Sequence, residues 1–187
     1  MITTKKELTN YLLADAEAMG FAKQNKVVEF FKGNVFDVLL FNYIVTLRKT
    51  EYYSSQREKS FFAKMMYLFY KHRLMKKSIK LNMYINPDAL GRGVKIVHTG
   101  YRWIDNVSCI GNNCTILPRV LLGKKHPGVP SPCVFIGDDC YIGTGVTILG
   151  PVKIGNNVTI GAGAVVVKDI PDNCVVAGNP AKIIKFK

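Results

Sequence analysis

A period of six residues governs the second half of the chain and constrains its fold more than any other feature. Between residues 104 and 167 an aliphatic side chain returns at every sixth position, with one interruption, and glycine often follows it. A short repeat held this strictly is typical of solenoid proteins, in which each turn of the chain stacks on the next. The aliphatic positions are Ile104, Ile110, Ile116 and Leu122, then Ile136, Ile142, Ile148, Ile154, Ile160 and Val166.

Each six-residue repeat has the composition of one flat side of a three-sided coil. The aliphatic residue points inward, and the fifth residue also faces inward where space is tight, so it is small or β-branched. Asn, Asp and Gly fill the corners, where their backbones tolerate left-handed angles. We therefore predict a mainly β protein, a left-handed parallel β-helix preceded by an α-helical N-terminal region. The fifth positions are Ser108, Cys114, Val120, Cys140, Val146, Val152, Val158 and Ala164.

The first part of the chain lacks this period and shows helical patterns instead. Thr4-Lys5-Lys6-Glu7 has the composition of a capping box. Apolar residues from Phe36 to Leu47 fall on one broad face. The predicted helices are about 4–19 ending at Gly20, 26–32 ending at Gly33, 35–53 with a cap at Asn34 and a break at Ser54-Ser55, and 56–77. The predicted domains are a helical region 1–80, a β-helix 81–173 with an inserted loop 123–133, and a C-terminal tail 174–187.

The formal net charge of +13 is concentrated between residues 48 and 80, which hold ten Lys and Arg against two Glu. The last predicted helix mixes these cations with apolar residues, and a basic amphipathic helix of that kind can lie on an anionic membrane. The alternatives are a solvated face, or packing on its own domain or on a neighbouring subunit. Nucleic-acid binding would rest on charge alone, and we do not expect it.

The remaining composition predicts a cytoplasmic protein, with peripheral contact at the inner face of the membrane through residues 56–80 as an alternative. No stretch reaches the roughly 20 apolar residues that span a bilayer, and no signal peptide opens the chain. Five cysteines without paired spacing do not form a disulfide framework. Cys114 and Cys140 take inward positions, where a thiol behaves as a small apolar group.

Two of the three histidines lie in the two irregularities of the repeat. The spacing slips by two residues before Ile104, around His98, and widens to fourteen residues before Ile136, around His126. A neutral imidazole can take a proton from a hydroxyl near pH 7. The alternative is a histidine on the surface by chance, as we expect for His72. The paired spacing of a zinc site is missing, so no metal is expected.

The repeats and three short motifs resemble the hexapeptide-repeat acyltransferases. The motifs are GRGVKIVHTG at 91–100, KKHPG at 124–128 and VVAGNPAKII at 175–184. Within that family the chain resembles the serine acetyltransferase group, and LRKTEYY at 47–53 resembles its short forms linked to surface-polysaccharide synthesis. The resemblance implies an acetyl-CoA-dependent O-acetyltransferase that works as a homotrimer, with its sites between adjacent β-helices.

The resemblance also implies roles for individual residues. His98 matches the general base that deprotonates the acceptor hydroxyl, and His126 matches the histidine that helps to hold the acceptor. Lys168 and Lys185 match basic positions near the phosphates of the coenzyme, with ordinary surface charge as the alternative. The positions that match the lining of the coenzyme's pantetheine arm are Gly143, Thr144, Gly161 and Ala162.

Two departures from the family pattern bear on the acceptor. Val97 stands where an aspartate contacts the amino group of serine. Tyr84 stands where a second aspartate orients the base, which leaves Asp88 and Asp105 as nearby candidates for that task. A buried ammonium group without an acidic partner is costly. We therefore predict a sugar hydroxyl as the acceptor, in surface-polysaccharide synthesis, with serine as the alternative and a non-catalytic trimeric scaffold as a third hypothesis.

Three residues just after the base complete the predicted site. Tyr101, Arg102 and Trp103 can offer stacking and hydrogen bonds to a sugar, and we predict them as acceptor-binding residues. Packing within the slip of the repeat is the alternative for all three.

Overall fold

The computed structural model describes residues 2–21 and 35–187, and this part of the chain consists of three helices followed by fourteen short strands. The helix predicted at 26–32 and the cap predicted at Asn34 lie outside the described residues. The helices are α1 (Lys5–Ala18), α2 (Val35–Gln56) and α3 (Phe61–Leu81). The strands are β1 (Met83–Ile85), β2 (Lys95–Ile96), β3 (Arg102–Ile104), β4 (Ser108–Ile110), β5 (Thr115–Ile116), β6 (Val120–Lys124), β7 (Val134–Ile136), β8 (Tyr141–Ile142), β9 (Thr147–Gly150), β10 (Val152–Ile154), β11 (Thr159–Ile160), β12 (Val165–Val166), β13 (Cys174–Ala177) and β14 (Lys182–Phe186).

The strands form three parallel sheets that are the three sides of a β-helix. The first sheet has the order β1-β3-β6-β9-β12, the second β4-β7-β10, and the third β2-β5-β8-β11-β13, with β14 added antiparallel to β13. Each strand pairs in register with the strand one coil further along, as Ile96, Ile116, Ile142 and Ile160 do in the third sheet. The parallel β-helix predicted from the six-residue period is confirmed.

The repeated aliphatic side chains form the core of the β-helix. None of the ten repeat positions from Ile104 to Val166 is more than 5% exposed. Burying a side chain of this size contributes about 1.5–3 kcal/mol relative to leaving it in water. The inward thiols of Cys114 and Cys140 are buried as predicted, because only a small group fits beside the aliphatic stack.

A ladder of side-chain oxygens runs along the corner between the second and third sheets. The backbone N–H of Asn112 donates to Asp138 Oδ1 (2.7 Å), that of Asp138 to Asn156 Oδ1 (2.8 Å), and that of Asn156 to Asp172 Oδ1 (2.7 Å). The chain turns at these corners, so its N–H groups need partners outside the strands. The recurring Asn and Asp of the repeat are explained by this pairing between coils.

A buried ion-pair network fastens α1 and α2 to the first coil of the β-helix. Arg48 of α2 donates to Asp15 of α1 (Nε to Oδ2, 2.8 Å) and to Glu51 (Nη1 to Oε2, 3.2 Å), and all three residues are at most 1% exposed. Arg48 also donates to the carbonyl of Leu90 (2.9 Å), and the N–H of Val94 donates to Asp15 (3.1 Å). The helices are therefore held by charge-assisted hydrogen bonds that reach the β-helix backbone.

The helix boundaries differ from the predicted ones in two places. α2 continues through Ser55, because the Ser55 hydroxyl donates to the carbonyls of Tyr52 and Ile2 (both 2.8 Å) instead of breaking the helix. α3 begins later than the predicted residue 56, because the side chain of Ser60 caps its first turn by accepting a backbone N–H. It ends later than the predicted residue 77, where Asn82 takes a left-handed backbone conformation. The capping box predicted for α1 is confirmed.

The predicted apolar face of α2 and the predicted β-helix boundaries also need correction. Phe36, which the sequence places on one broad apolar face with Leu40 and Leu47, lies in the first turn of α2 and is largely exposed, unlike those two residues. The β-helix continues past 173, because β13 pairs in parallel with β11. The inserted loop spans 125–133, because β6 pairs with β9 as far as Lys124.

Candidate active site

His98 stands at the corner where the chain passes from the third sheet to the first. It follows the end of β2 by two residues, has a left-handed backbone (φ 56°) and is exposed. Within residues 2–21 and 35–187, no partner forms a hydrogen bond with its imidazole. The ring is therefore open to a substrate that approaches from solvent.

The register of the third sheet places two predicted coenzyme positions on the same edge as His98. Residues two places after the paired strands β2, β5, β8 and β11 are His98, Pro118, Thr144 and Ala162. With about 5 Å between coils, Thr144 lies roughly 10 Å and Ala162 roughly 15 Å along the edge from His98. The Thr144 hydroxyl donates to the carbonyl of Pro118 (2.9 Å). The structure thus brings the predicted base and part of the predicted coenzyme lining into one row.

Gly143 and Gly161 precede Thr144 and Ala162 on this edge, and the stacking of coils explains both glycines. A Cβ atom at Gly143 would lie 2.7 Å from the carbonyl oxygen of Ile160, and one at Gly161 would lie 3.0 Å from Cβ of Ala177. A larger residue would push the coils apart. Their place in the coenzyme site stays a prediction.

The other predicted site residues lie away from this edge within one chain. Lys168 follows β12, at the corner between the first and second sheets, and His126 lies in the loop 125–133 at the same corner. Both are exposed, and Nδ1 of His126 lies 3.0 Å from the carbonyl oxygen of Pro127. Lys185 is exposed on β14. One chain alone therefore does not bring His98 together with these three residues.

Arg102 is a buried residue of the β-helix, which favours the packing alternative over the predicted contact with the acceptor. It is completely buried, and its guanidinium donates to the backbone carbonyls of His98 (2.8 Å), Gly100 (3.2 Å), Leu117 (3.1 Å) and Val97. Burial lowers the pKa of Arg102 to about 10, so the side chain remains a cation at neutral pH. Most of its N–H donors are therefore engaged with the backbone of the β-helix.

The repeat itself could have identified this role. Arg102 lies six residues before Ser108, so it occupies the inward fifth position of the hexad that the slip obscures. In the first sheet it pairs in register with Val120 of the next coil. The two-residue slip hides this position, because a strict count of six from Ile96 puts residue 102 at the aliphatic position of the repeat instead of the fifth.

Tyr101 and Trp103 line a groove of about 800 Å³ between α3 and the first strands of the β-helix. Tyr101 is 39% and Trp103 is 44% exposed, and the rings of Trp103 and Tyr84 pack with centroids 4.9 Å apart. One of the groove's lining residues, Tyr101, follows His98 by three positions in the sequence. Its polar lining includes Thr50, Ser54, Ser78, Asn82 and Asn86.

Neither candidate acid for orienting the base shares its corner. Asp88 and Asp105 follow β1 and β3, at the corner between the first and second sheets, whereas His98 precedes the first sheet. The backbone N–H of Asp88 donates to Glu51 (2.9 Å), and burial raises the pKa of the Asp88 carboxyl. The structure therefore places Asp88 beside the helices and not beside the imidazole.

The described residues contain neither a metal-ligand cluster nor a membrane-spanning helix. In this part of the chain, no group of three or more His, Cys, Asp or Glu side chains is arranged to hold a metal ion. None of the helices in residues 2–21 and 35–187 is long and apolar enough to cross a membrane.

Comparison with known sequences matches the β-helix region. The family described as bacterial transferase hexapeptide (six repeats) matches residues 133–168. Serine acetyltransferase 4 of Arabidopsis thaliana is 42% identical over 105 residues, which cover 54% of this chain and 29% of that protein. The serine acetyltransferase of Mycobacterium tuberculosis is 40% identical over 108 residues, which cover 54% of this chain and 44% of that protein. The chain thus spans less than half the length of these curated relatives.

Solved structures match nearly the whole chain. Serine acetyltransferase from Brucella abortus strain S19 in complex with coenzyme A superposes with a TM-score of 0.75 at 25% identity, covering 98% of this chain and 70% of that one. Neisseria gonorrhoeae serine acetyltransferase in complex with serine gives a TM-score of 0.65 at 27% identity, covering 95% of this chain and 69% of that one. The left-handed β-helix with N-terminal helices, and the resemblance to serine acetyltransferase-like hexapeptide proteins, are confirmed.

Proposed function

We propose that this chain is an acetyl-CoA-dependent O-acetyltransferase with His98 as its general base. The observation that carries the proposal is the single edge on which the open imidazole of His98 lies in line with Thr144 and Ala162. A base beside a bound thioester is the arrangement that direct acetyl transfer needs. The coenzyme A complex of the structural relative from Brucella abortus supports the choice of donor.

The reaction proceeds in one transfer between bound substrates. His98 takes the proton of the acceptor hydroxyl as its oxygen attacks the thioester carbonyl carbon. The carbon–sulfur bond then breaks, the acetyl group stays on the acceptor oxygen, and the coenzyme thiolate leaves and is protonated. General-base help of this kind is worth about 10²–10⁴-fold, and holding both substrates in one cleft lowers the barrier further.

The complete site is proposed to form between copies of the chain in a homotrimer. His98 occupies one corner of the β-helix, whereas His126 and Lys168 occupy another. A neighbouring copy would supply the second corner, so that His126 helps to hold the acceptor and Lys168 and Lys185 lie near the coenzyme phosphates. Gly143, Thr144, Gly161 and Ala162 would line the pantetheine arm.

L-serine is the acceptor that the comparisons favour. The matched proteins are named serine acetyltransferases, and one of the matched structures holds serine. The comparisons lend no support to a sugar acceptor. A sugar hydroxyl remains the second candidate on a separate observation, the exposed faces of Tyr101 and Trp103 along the groove between α3 and the β-helix. Flat aromatic faces of this kind suit the apolar side of a sugar ring.

The experiment is to measure thiol release from acetyl-CoA by the purified protein. L-serine is compared with a panel of sugars and oligosaccharides, and His98→Ala is compared with His72→Ala, a matched histidine on the surface of α3. We expect turnover with one acceptor class, lost by at least about 10²-fold in His98→Ala and retained in His72→Ala. No turnover with any acceptor, together with no binding of acetyl-CoA, would refute the proposal in favour of a scaffold.

A further inference from the structure

We propose that Arg102 is a positioning residue that fixes the backbone of the His98 corner. The inference rests on the proposed role of His98 as the base. Arg102 occupies an inward position where other repeats carry small or β-branched residues. Its coil is the one that contains the two-residue slip. A side chain of this length fills the space that the wider coil leaves.

The contacts of Arg102 converge on the segment that carries the base. Its guanidinium donates to the carbonyls of Val97, His98 and Gly100, three residues of one corner, and to Leu117 of the next coil. Among the described residues no carboxylate pairs with it, in contrast to Arg48. Within the described residues, its charge is therefore stabilised by backbone carbonyls of the corner and of the next coil.

These hydrogen bonds hold a backbone that has little other support. His98 adopts a left-handed φ of 56° and Gly100 a φ of 125°, and left-handed angles cost a non-glycine residue roughly 1–2 kcal/mol. A buried cation that gathers the carbonyls on both sides of His98 offsets that cost. Without it, several carbonyls would lose a charged donor and the corner could relax.

The consequence for the reaction is the placement of the imidazole. A base must lie within hydrogen-bond reach of the hydroxyl proton, and a displacement of about 1 Å can reduce the rate by about 10²-fold. Arg102 is buried and donates only to backbone carbonyls, most of them in the segment that carries the base, so we expect its effect on the rate to act mainly through the position of His98.

The test is a double-mutant cycle with Arg102→Met, Arg102→Lys and His98→Ala. We expect Arg102→Met to lower kcat by about 10²-fold while KM and the acetyl-CoA dissociation constant stay within about threefold of the native values. Arg102→Lys, which keeps a cation with fewer donors, should recover part of kcat. In the His98→Ala background Arg102→Met should lower kcat no further, because residues that act as a unit are not additive.

A second measurement needs no acceptor, so it also tests the proposal if the acceptor is unknown or if Arg102→Met folds poorly. The imidazole proton signals of His98, His126 and His72 are followed by NMR in native protein and in Arg102→Lys. We expect only the His98 signal to shift or broaden. Native kcat in Arg102→Met, additive losses in the cycle, or an unchanged His98 signal would overturn the proposal. Absence of turnover and of acetyl-CoA binding in the native protein would refute the proposed function instead.

A separate observation on α3 supports a second inference. The side of α3 opposite its buried residues Ala63, Leu74 and Leu81 is mostly apolar, with the exposed His72 as its polar member. Five large side chains there are each more than half exposed, and we name them the outer face of α3: Phe61, Met65, Leu68, Met75 and Ile79, of which Met75 and Ile79 also line the edge of the groove. A helix that packs only on its own domain would place polar residues there.

The charges around this face identify the kind of surface that it fits. Lys64, Lys71, Arg73, Lys76 and Lys80 are exposed on the same helix, which contains no Asp or Glu. Two copies of α3 placed face to face would bring these cations together, which disfavours self-pairing. We infer that the outer face of α3 lies on an anionic phospholipid surface, with its apolar residues among the acyl chains and its cations at the headgroups.

The test is sedimentation with vesicles of phosphatidylcholine alone and of phosphatidylcholine mixed with phosphatidylglycerol. We expect binding to the anionic vesicles only, weakened by salt. The paired change Lys76→Glu with Lys80→Glu should reduce binding by about tenfold or more, and Phe61→Ser with Leu68→Ser should abolish it. The matched control is Lys5→Glu with Lys6→Glu on α1, which should bind like the native protein.

Three outcomes would overturn the inference. They are no binding to either vesicle, equal binding to both, and a smaller oligomer in the Phe61→Ser, Leu68→Ser variant by analytical ultracentrifugation, which would show that another copy covers the face. The four residues substituted on α3 do not line the groove between α3 and the β-helix. The acetyl-CoA dissociation constant should therefore be unchanged in all of these variants, whether or not they bind vesicles.

Discussion

At the scale of single residues, the two buried arginines are stabilised in different ways. Burial alone would lower the pKa of Arg48, but the negative charges of Glu51 and Asp15 outweigh it and raise that pKa above its usual value. Arg102 has carbonyl acceptors only, in the part of the chain that the structure describes, and burial lowers its pKa to about 10. Arginine, which hydropathy assigns to the surface, is thus buried at both positions: Arg48 lies between the helices and the β-helix, and Arg102 lies inside one coil.

We predict that Arg48→Met destabilises the fold by about 3–5 kcal/mol at pH 7, because Asp15 and Glu51 would remain buried without their cation. Burial already raises the pKa of Glu51 above its unfolded value, and loss of the cation raises it further. The folded variant then binds more protons than the unfolded chain, so its stability rises as the pH falls through that raised pKa toward 4.5. Urea denaturation at pH 7 and near pH 5 measures both effects.

The matched control for this prediction is Arg57→Met. Arg57 pairs with Glu58 at the surface (3.1 Å), and such pairs contribute no more than about 1 kcal/mol. Equal unfolding free energies for the two variants would mean that the buried network does not hold α1 and α2 on the β-helix.

At the scale of elements, the hydrogen bonds of the corner ladder should each contribute to the free energy of unfolding of the β-helix. Asp138→Ala removes the acceptor for the backbone N–H of Asn112 (2.7 Å) and should cost about 1–2 kcal/mol. Asp138→Asn keeps the Oδ1 acceptor and should remain within about 0.5 kcal/mol of the native protein. Thermal and urea unfolding of both variants distinguish the loss of the acceptor from the loss of charge, and a similar loss in both would contradict the ladder.

The elements also show what could be predicted from sequence and what could not. The six-residue period predicted the β-helix because each coil position has the same neighbours, so one repeat specifies the burial of all. It missed Arg102, because a long cation at an inward position does not fit the repeat's own pattern. The sequence predicts a helix break at Ser55, but its hydroxyl donates to the carbonyls of Tyr52 and Ile2, and the latter is distant in sequence. The groove between α3 and Trp103 depends on how two elements meet, which no local pattern specifies.

At the scale of the whole molecule, the proposed trimer predicts that two inactive variants regain activity when they assemble together. If each site combines His98 of one copy with His126 of its neighbour, then His98→Ala and His126→Ala chains are each inactive but complementary. A trimer that contains both variants has one intact site, where an imidazole of each kind survives. Random co-assembly of equal amounts should restore about a quarter of the native activity, because each interface receives the required pair in about one case in four.

The measurement is thiol release from acetyl-CoA after the two variants are unfolded, mixed and refolded together. The first control is each variant refolded alone, which should stay inactive. The second control is the two variants refolded separately and then combined, which should also stay inactive unless subunits exchange. Activity of the mixture no greater than the mean of its parents would place both histidines in the same chain's site, or remove His126 from it. Because His98 and His126 occupy different corners of one β-helix, recovery by mixing would identify the neighbouring chain as the source of the second histidine.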